Sequence, residues 1–274
     1  MSPDQNDRIK SNAVHVSVNI SAEPSTVWKF LSEGQRFASW IGAFAGQGPM
    51  EGTRIDPRVG GEVRVAYPGG NFGVGMITAM ESGKRLAMSW GYEDVKQGLP
   101  VGSTQIEITL TPTSHGTLVQ LTHTGLPSDV VRQGHLGGWK HYLSMLAREA
   151  AMAQHQAAAQ KAFDTYFRAW IETDEAARLR ILAESCEADV RLRTQFACTD
   201  GLQKLSEHIA GSLKHMAGFT LLAEGPVQTT HGYARVPWSV LAPGGNPMMR
   251  GINVAELSLS GKLASVVSFS DPKP

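Results

Sequence analysis

Apolar and polar residues alternate with a period of two through most of the first half of the chain. In "AVHVSVNI", Val14, Val16, Val18 and Ile20 alternate with polar residues, as in a strand with one buried face. Similar segments follow, separated by turns rich in Gly, Pro and Ser. The predicted strands are Gly61–Tyr67, Phe72–Met80, Arg85–Gly91, Ser103–Leu110 and Thr117–His123. Their hairpin-length spacing predicts an antiparallel meander.

A period of about 3.6 marks two helices around this meander. The first is a short helix in "PSTVWKFLS", which begins at Pro24, a residue suited to the first helical turn. The second is long, and its apolar face consists of Leu136, Trp139, Tyr142, Leu143, Leu146 and Ala147. It runs into "REAAMAQHQAAAQKAF", which has high helix propensity and few large apolar side chains. We therefore predict a first domain at residues 12–150 and a helical linker at residues 151–160.

The second half of the chain begins with helical patterns and ends with strands. Its helices are predicted from the stripe Phe163, Tyr166, Phe167, Trp170 and Ile171, from the cap Thr173-Asp174, and from Asp200-Gly201 followed by Leu202, Leu205, Ile209 and Leu213. Its strands are predicted at "DVRLRT", Phe219–Val227, Gly232–Leu241, Met249–Leu259 and Lys262–Phe269. This order predicts an α+β cone at residues 161–272, and the fold class of the whole chain is α+β.

The predicted strand Phe72–Met80 carries glycine on one face only. Gly73 and Gly75 share that face, while the other face holds bulky side chains. Glycine weakens a strand interior and occurs where a sheet bends or where another group approaches closely. A bare patch opposite a long helix leaves two alternatives, a close helix contact or a cavity.

Aromatic residues and one histidine are candidates for lining such a cavity. Trp40, Tyr67, Trp90 and Trp139 each fit two interpretations, as core residues or as walls of a ligand site. His123 shares a strand face with aliphatic residues. It either satisfies its hydrogen bonds within the fold or presents a polar group to a ligand.

Composition and motifs exclude several classes of function. Lys plus Arg and Asp plus Glu both number 25, so no excess positive charge is present to hold nucleic acid. The N-terminus lacks the apolar core of a signal peptide and no segment is long and apolar enough to span a membrane, so we expect a cytoplasmic protein. Cys186 and Cys198 are isolated, and we expect neither a metal nor a cofactor, because no such motif occurs.

Residues 12–150 resemble the START-like, or SRPBCC, family named after the activator of the heat-shock-protein-90 ATPase. The resemblance is carried by "VNISAEPSTVWKFLS", "DPRVGGEVRV", "GVGMIT", "KRLAMSWGY", "TQIEITLTPTSHGTLVQLTHTGLP" and "HLGGWKHYLSML". It implies a helix-grip (Bet v 1-like) fold, in which a sheet wraps around the C-terminal helix and encloses an apolar cavity. Trp90, His123 and Trp139 would approach that cavity, and Gly60 and Gly61 would form a bend.

The second half resembles the cystatin-like cone fold of nuclear transport factor 2, in its SnoaL-like branch of polyketide cyclases and ketosteroid isomerases. The carrying segments are "FDTYFRAWIETDEAARLRILAE", "ADVRLR", "GLQKLSEHI", "GYARVPWSV" and "GINVAELSLSGKLASVVSF". In the isomerases a first-helix tyrosine donates a hydrogen bond to the substrate oxyanion, and Tyr166 holds the matching place. Asn253 stands where a carboxylic acid assists that tyrosine, and Thr194 stands where an aspartate acts as the base.

A threonine hydroxyl does not remove a proton near neutral pH without an activating base, so the usual isomerase chemistry is not expected. The alternative proton acceptors are His208, His215 and His231, with Asp200 as a carboxylate. Asn253 shares its strand face with apolar residues, so we expect it to be buried and to need a partner. Either it bonds to Tyr166 within the fold, or the pair holds a ligand carbonyl.

Two cavity-forming folds lead to the hypothesis of a cytoplasmic two-domain protein that binds small apolar or aromatic molecules. Two alternatives remain open, a polyketide cyclase-like or isomerase-like enzyme in the cone and a chaperone regulator or interaction module. Exposed apolar alternation over Gly232–Phe269 would favour a homodimer through the C-terminal sheet. The candidate ligand-binding residues are Trp40, Tyr67, Trp90, His123, Trp139, Tyr166, Trp238 and Asn253.

Overall fold

The structure is a computed structural model that describes residues 8–10, 12–42 and 50–271. The chain divides into two compact units, Met1–Ala151 and Met152–Pro274. Residue 272, the predicted end of the second domain, lies outside the described residues. Both units combine helices with a largely antiparallel sheet, so the α+β prediction is confirmed.

The N-terminal unit is built on an eight-stranded antiparallel sheet, in the order β1-β2-β8-β7-β6-β5-β4-β3. Its strands are β1 (Arg8–Lys10), β2 (Ala13–Ile20), β3 (Arg54–Ile55), β4 (Glu62–Tyr67), β5 (Asn71–Glu81), β6 (Arg85–Tyr92), β7 (Thr104–Thr113) and β8 (Gly116–Thr124). Consecutive strands from β3 to β8 pair with each other, and β2 joins the sheet beside β8. The predicted meander is confirmed.

The α-helices that accompany this sheet in the described part of the chain are α1 (Pro24–Ser32), α2 (Gly34–Ala38) and the first part of α3 (Asp129–Ala169). Pro24 stands in the first turn of α1, as predicted, because its missing N–H would have no helical partner there. The predicted apolar face of α3 is buried, with Leu143 1% and Leu146 0% exposed. Helix α3 passes through residues 151–160 without a break.

The glycine face of β5 is turned inward, and a tryptophan occupies the space that the glycines leave. A Cβ atom on Gly73 would lie 2.3 Å from Cζ2 of Trp90, which projects from the neighbouring strand β6. A Cβ atom on Gly75 would lie 1.9 Å from the carbonyl oxygen of Ser89. The bare patch therefore accommodates an indole ring and a close backbone approach, which neither of the two sequence alternatives anticipated.

The C-terminal unit begins with helices and ends with strands, as the order of patterns predicted. Its elements are the end of α3, α4 (Glu175–Ser185), β9 (Cys186–Arg193), β10 (Cys198–Asp200), α5 (Leu202–His215), β11 (Thr220–Ala223), β12 (Gln228–Thr230), β13 (Tyr233–Leu241), β14 (Pro247–Leu257) and β15 (Leu263–Ser270). The seven-stranded sheet runs β10-β9-β15-β14-β13-β11, with β12 also paired to β13. Only β15 and β9 pair in parallel among the described strands.

The structure corrects two of the predicted elements of this unit. The predicted strand Phe219–Val227 is instead the short strand β11, and β12 follows after a break at Gly225-Pro226. Gly225 has a φ of 141° and Pro226 has no N–H to donate, so the ladder stops there. Helix α3 ends at Ala169, before Ile171, which is 57% exposed.

Candidate functional site

Each unit contains a pocket, and the larger one lies in the C-terminal unit. Its volume is about 580 Å³, and most of its wall is apolar or aromatic. The residues that line it are Tyr166, Trp170, Leu192, Thr194, Phe196, His208, Gly211, Ser212, Leu213, His215, Met216, Phe219, Leu221, Trp238, Val240, Met249, Asn253, Ser268 and Ser270. Three predicted site residues, Tyr166, Trp238 and Asn253, therefore come together.

Tyr166 is held by the last turns of α3, where a 3.6-residue period brings several rings onto one face. Its ring centroid lies 5.9 Å from that of Phe167 and 6.1 Å from that of Trp170. The residue is 1% exposed. Burial raises the pKa of Tyr166, because the charged phenolate loses its hydration. The side chain is therefore a neutral hydroxyl at neutral pH, able to donate a hydrogen bond.

Trp238 reaches the pocket because its partner across the sheet is a glycine. It is paired with Gly251 of β14, and a Cβ atom on Gly251 would lie 2.5 Å from Cζ2 of the indole. Trp238 is 6% exposed, and its indole N–H has no hydrogen-bond partner among the described residues. The indole N–H of Trp170 is also buried; it lies outside ordinary hydrogen-bond geometry but is near enough to the Tyr166 hydroxyl to lower the pKa of Tyr166 slightly against the larger raising effect of burial. Buried donors usually have partners, so the unpaired Trp238 donor beside the pocket requires an explanation.

Asn253 lies on β14, opposite Ser268 of β15, and is 5% exposed, which agrees with the expected burial. Its side-chain amide makes no hydrogen bond with any residue that the structure describes. No hydrogen bond joins Asn253 to Tyr166 within the described part of the chain, and the role of the pair stays a prediction. Both side chains line the same pocket, with hydrogen-bonding capacity left over.

His208 is the titratable residue best placed for chemistry in this pocket. It projects from α5, and its ring packs edge-on against Trp170 at a centroid distance of 5.8 Å. Burial lowers the pKa of His208, so the imidazole is neutral at pH 7. Its ring nitrogens make no hydrogen bond within the described part of the chain. A neutral imidazole with an open lone pair is a proton acceptor.

Of the other proton acceptors considered from the sequence, His215 also lines the pocket, but it is exposed at the last residue of α5. The Thr194 hydroxyl oxygen accepts hydrogen bonds at 2.9 Å from the backbone N–H groups of Phe196 and Ala197, so it stabilises a turn. Asp200 forms an exposed ion pair with Arg193 at 2.7 Å and does not line the pocket. His231 stands at a hairpin turn away from the pocket, with a φ of 48°.

The pocket of the N-terminal unit is smaller, at about 280 Å³. It is lined by Tyr67, Trp90, Tyr92, Gln97, Val131, Gly134, His135, Gly138, Trp139 and Tyr142. Three further predicted residues, Tyr67, Trp90 and Trp139, thus share one pocket. Two predicted residues, Trp40 and His123, do not line it.

Trp40 and His123 instead have their polar atoms satisfied inside the fold. The Trp40 indole N–H donates to the carbonyl oxygen of Phe30 at 2.8 Å, and the ring is fully buried. His123 is hydrogen-bonded at both ring nitrogens, to Trp139 at 3.1 Å and to Thr104 at 2.8 Å. The geometry favours the interpretation of His123 as a satisfied histidine behind the pocket wall.

Several lining residues were missed by the sequence reasoning, although a signal for them existed. His135 and Tyr142 lie four residues before and three residues after Trp139, so all three share a helix face. Tyr92 lies two residues after Trp90 and shares its strand face. Trp170 follows the end of α3, where helical periodicity no longer specifies the direction of a side chain.

The walls of both pockets are free of formal charge. Neither pocket is lined by a described Asp, Glu, Lys or Arg residue. No cluster of three or more His, Cys, Asp or Glu side chains in the described part of the chain could hold a metal ion. Among the described residues, no helix combines the length and apolar character needed to cross a membrane.

Comparison with known proteins finds a family model that matches most of the N-terminal unit. Residues 21–151 match the family model described as "Activator of Hsp90 ATPase homolog 1-like protein". No match was found among curated proteins. The N-terminal resemblance that the sequence motifs indicated is confirmed at the level of the family model.

Solved structures similar to parts of the chain include proteins of both kinds. A SnoaL-like family protein from Agrobacterium tumefaciens is 22% identical, with 42% of this chain and 99% of that chain covered and a TM-score of 0.40. The AHSA1-like protein from Aeromonas hydrophila is 23% identical, with coverage of 52% and 93% and a TM-score of 0.41. CalU16 from Micromonospora echinospora is 26% identical, with coverage of 51% and 76% and a TM-score of 0.39.

Proposed function

We propose that this chain, whose N-terminal unit matches the AHSA1 family model, binds small uncharged molecules in the pockets of its two units, with the C-terminal pocket as the main site. The preferred ligand of that pocket is an aromatic or polycyclic molecule with a carbonyl oxygen. The observation that carries the proposal is a mainly apolar pocket of about 580 Å³, lined by no described Asp, Glu, Lys or Arg, in which the buried indole N–H of Trp238 lacks a partner among the described residues.

The size and chemistry of the wall select this ligand class. Ligand pockets of about 300–1,000 Å³ hold most of the surface of a molecule of two to four rings. Tyr166 and Asn253 offer hydrogen-bond donors to the same space, and no carboxylate competes for them. A carbonyl oxygen between these two donors would satisfy groups that the protein itself leaves unpaired. The rings of Trp170 and Trp238 provide flat apolar surface for the rest of the molecule.

The first test is native mass spectrometry of the protein purified from its own host, in comparison with variants that close one pocket. Gly211 lines the C-terminal pocket from α5, and a Cβ atom there meets nothing within 4 Å. Gly211→Leu should therefore fill the pocket without strain and remove the retained molecule. Gly137→Leu is the matched control, because Gly137 is an open helical position that lines neither pocket.

A defined probe tests the role of the polar pair. In titrations followed by the quenching of tryptophan fluorescence, 2-acetylnaphthalene should bind with higher affinity than naphthalene. Tyr166→Phe and Asn253→Leu should each reduce the ratio of these two affinities by about five- to tenfold, as expected for the loss of one hydrogen bond. Equal affinities of both probes in wild type would contradict the carbonyl assignment. Undiminished binding of both in Gly211→Leu would contradict the pocket itself.

A second candidate function, an isomerase-like enzyme in the cone, is favoured by the placement of His208 in the pocket. A carbonyl bound by Tyr166 and Asn253 makes the adjacent C–H bond acidic. His208 would take that proton, and the electron pair would move to the oxygen as an enolate held by the two donors. Return of the proton to the same or another carbon completes the cycle with no further reactant.

Deuterium exchange separates an enzyme from a binding protein. In D₂O the methyl protons of 2-acetylnaphthalene should exchange faster with wild-type protein than with buffer alone, as followed by proton NMR. His208→Gln should abolish the acceleration while leaving the affinity for the probe within about twofold, because the base is not needed for binding. Exchange at the buffer rate with saturated wild type would leave the chain a binding protein only.

A further inference from the structure

The wall of the C-terminal pocket runs from buried residues to exposed ones. The buried lining residues, which we call the floor, are Tyr166, Leu192, Trp238, Val240 and Asn253. The exposed lining residues are Phe196 and His215, and Phe196 is 73% exposed. A residue that belongs to the wall and is also in solvent lies where the pocket opens. Phe196 therefore marks the mouth of the pocket.

Polar groups that need a partner are found at the floor. The Trp238 indole N–H has no partner among the described residues, and the Asn253 amide makes no hydrogen bond there either. Tyr166 is a neutral hydroxyl, because burial raises its pKa. A ligand that reaches the floor must bring polar atoms to these groups, since an unpaired buried donor is costly.

The wall between the floor and the mouth makes fewer demands of this kind. Three of its half-buried polar side chains are already hydrogen-bonded, namely Thr194, Ser212 and Ser270. The half-buried apolar residues of the wall are Trp170, Leu213, Met216, Phe219, Leu221 and Met249. The chemistry of the wall thus favours a ligand whose oxygen lies at the floor and whose apolar end points to the mouth.

A hydrogen-bonded turn holds Phe196 at the mouth. The N–H of Thr194 donates to the carbonyl oxygen of Ala197 at 2.9 Å, and the Thr194 hydroxyl oxygen accepts from the N–H groups of Phe196 and Ala197. The side-chain amide of Gln195 donates to the Ser270 hydroxyl on β15 at 3.0 Å. The exposed ring therefore stands on a constrained backbone. A large apolar side chain held in water at a pocket is typical of a binding surface.

The volume of the pocket exceeds the needs of a small ketone. An apolar cavity of about 150 Å³ holds one benzene molecule, so a pocket of about 580 Å³ has room for apolar groups equivalent to about four rings. A ketone with two rings leaves part of this space empty. The remaining space is available to an apolar substituent that extends towards Phe196.

We propose that the ligand of the C-terminal pocket is an aryl ketone with an apolar chain opposite its carbonyl group, and that this chain leaves through the mouth against Phe196. This inference rests on the proposed function in assuming that Tyr166 and Asn253 bind the carbonyl oxygen. It adds a binding site for the chain. A ketone without a chain tests the first assumption alone, so the two proposals fail with different results.

The test is fluorescence titration of the full chain with 2-acetylnaphthalene and its 6-hexyl and 3-hexyl derivatives. Gly138→Leu serves as the background, because Gly138 lines the N-terminal pocket with nothing within 4 Å of a Cβ atom and leucine closes that site. The 6-hexyl compound should bind at least about tenfold more tightly than 2-acetylnaphthalene, because several CH₂ groups leave water. Its 3-hexyl isomer has the same apolar area but carries the chain beside the carbonyl, so it should bind at least about tenfold more weakly than the 6-hexyl compound.

A charged chain end shows whether the chain reaches solvent. 2-Acetyl-6-(5-carboxypentyl)naphthalene should bind within about threefold of the 6-hexyl compound, because its carboxylate stays hydrated outside the mouth. A loss of more than about a hundredfold would mean that the chain end is buried, since a buried unpaired carboxylate is very unfavourable, and it would overturn the proposal.

A substitution at the mouth assigns the chain to Phe196. Phe196→Ser should weaken the 6-hexyl compound by about five- to tenfold and leave 2-acetylnaphthalene within about twofold. Phe269→Ser is the matched control, because Phe269 is a 57% exposed phenylalanine of the same unit that does not line the pocket. It should change neither affinity. Gly211→Leu, which fills the pocket, should abolish the binding of both compounds.

The opposite results separate this inference from the proposed function. Equal affinities of the two hexyl isomers, or an unchanged 6-hexyl affinity in Phe196→Ser, would overturn the chain site and leave the carbonyl site intact. Binding of 2-acetylnaphthalene without binding of the 6-hexyl compound would do the same. No binding of 2-acetylnaphthalene would remove the proposed function and this inference together. A lower mass of Phe196→Ser in light scattering, with both affinities unchanged, would assign Phe196 to a contact between copies of the chain instead.

Discussion

Gly73→Ala is the sharpest test of how the N-terminal sheet is packed. Gly73 does not have a positive φ, so alanine carries no backbone penalty there and the whole effect comes from one added methyl group. That methyl carbon would lie 2.3 Å from Cζ2 and 2.8 Å from Cη2 of Trp90. Carbon atoms in favourable contact are about 3.5–4.0 Å apart, so the two groups cannot coexist without a shift of more than about 1 Å.

The surroundings of Trp90 determine the size of the effect. The indole is 1% exposed and packs edge-on against Tyr92 at a centroid distance of 6.3 Å, so it has no free direction in which to move. Inserting a methyl group into such a core costs about 1–3 kcal/mol. For a unit of this size each kcal/mol lowers the melting temperature by about 2–4 °C, which predicts a decrease of about 2–12 °C.

Scanning calorimetry of the full chain measures this decrease, and a second substitution identifies its cause. Trp90→Phe removes the atoms that the new methyl group would strike, so the double variant should be more stable than the sum of the single effects predicts, by about 1 kcal/mol or more. Gly137→Ala is the matched control and should be neutral or stabilising by up to about 1 kcal/mol, because that helical position is open. A Gly73→Ala variant that melts within about 1 °C of wild type would refute the packing argument.

The remaining predictions concern the N-terminal pocket, acid stability, a helix cap and the assembly state. Trp90→Ala should weaken the retention of a small molecule by the N-terminal pocket, and unchanged retention in native mass spectrometry would remove this indole from the pocket wall. Burial lowers the pKa of His123 to about 3 in the folded chain, against 6.5 in the unfolded chain. The unfolding free energy should therefore decrease as the pH is lowered from about 6.5 to about 3, by at most about 1.4 kcal/mol per pH unit. Urea titrations at several pH values should show a smaller dependence in His123→Gln. Asp174→Ala removes the cap bond to the N–H of Ala177 at 2.7 Å and should cost about 1 kcal/mol in urea denaturation. If the chain forms a homodimer through the C-terminal sheet, light scattering should give twice the chain mass. Phe269→Lys, at a 57% exposed position, should then give the monomer. A monomeric wild type would show the dimer prediction to be wrong.

The elements with long periodic patterns were predictable, and the short or broken ones were not. Strand β2 and helix α1 appear within one residue of their predicted bounds, because their side chains repeat with one clear period. Strands β3 and β12 contain only two and three residues, too few for alternation to be seen. The break at Gly225-Pro226 was readable in principle, since proline cannot continue a ladder.

The sequence by itself determined the two-part α+β plan and half of the Phe, Tyr and Trp residues that line the pockets, because periodicity and side-chain type are local properties. Tertiary structure decided which of those residues meet. Trp40 and His123 share the chemistry of the lining residues, yet the hydrogen bonds to Phe30 and Thr104 fix them inside the fold. The hydrogen bond between Tyr92 and His135 likewise joins separate elements of the chain. Such contacts join residues far apart in sequence, and no local pattern encodes them.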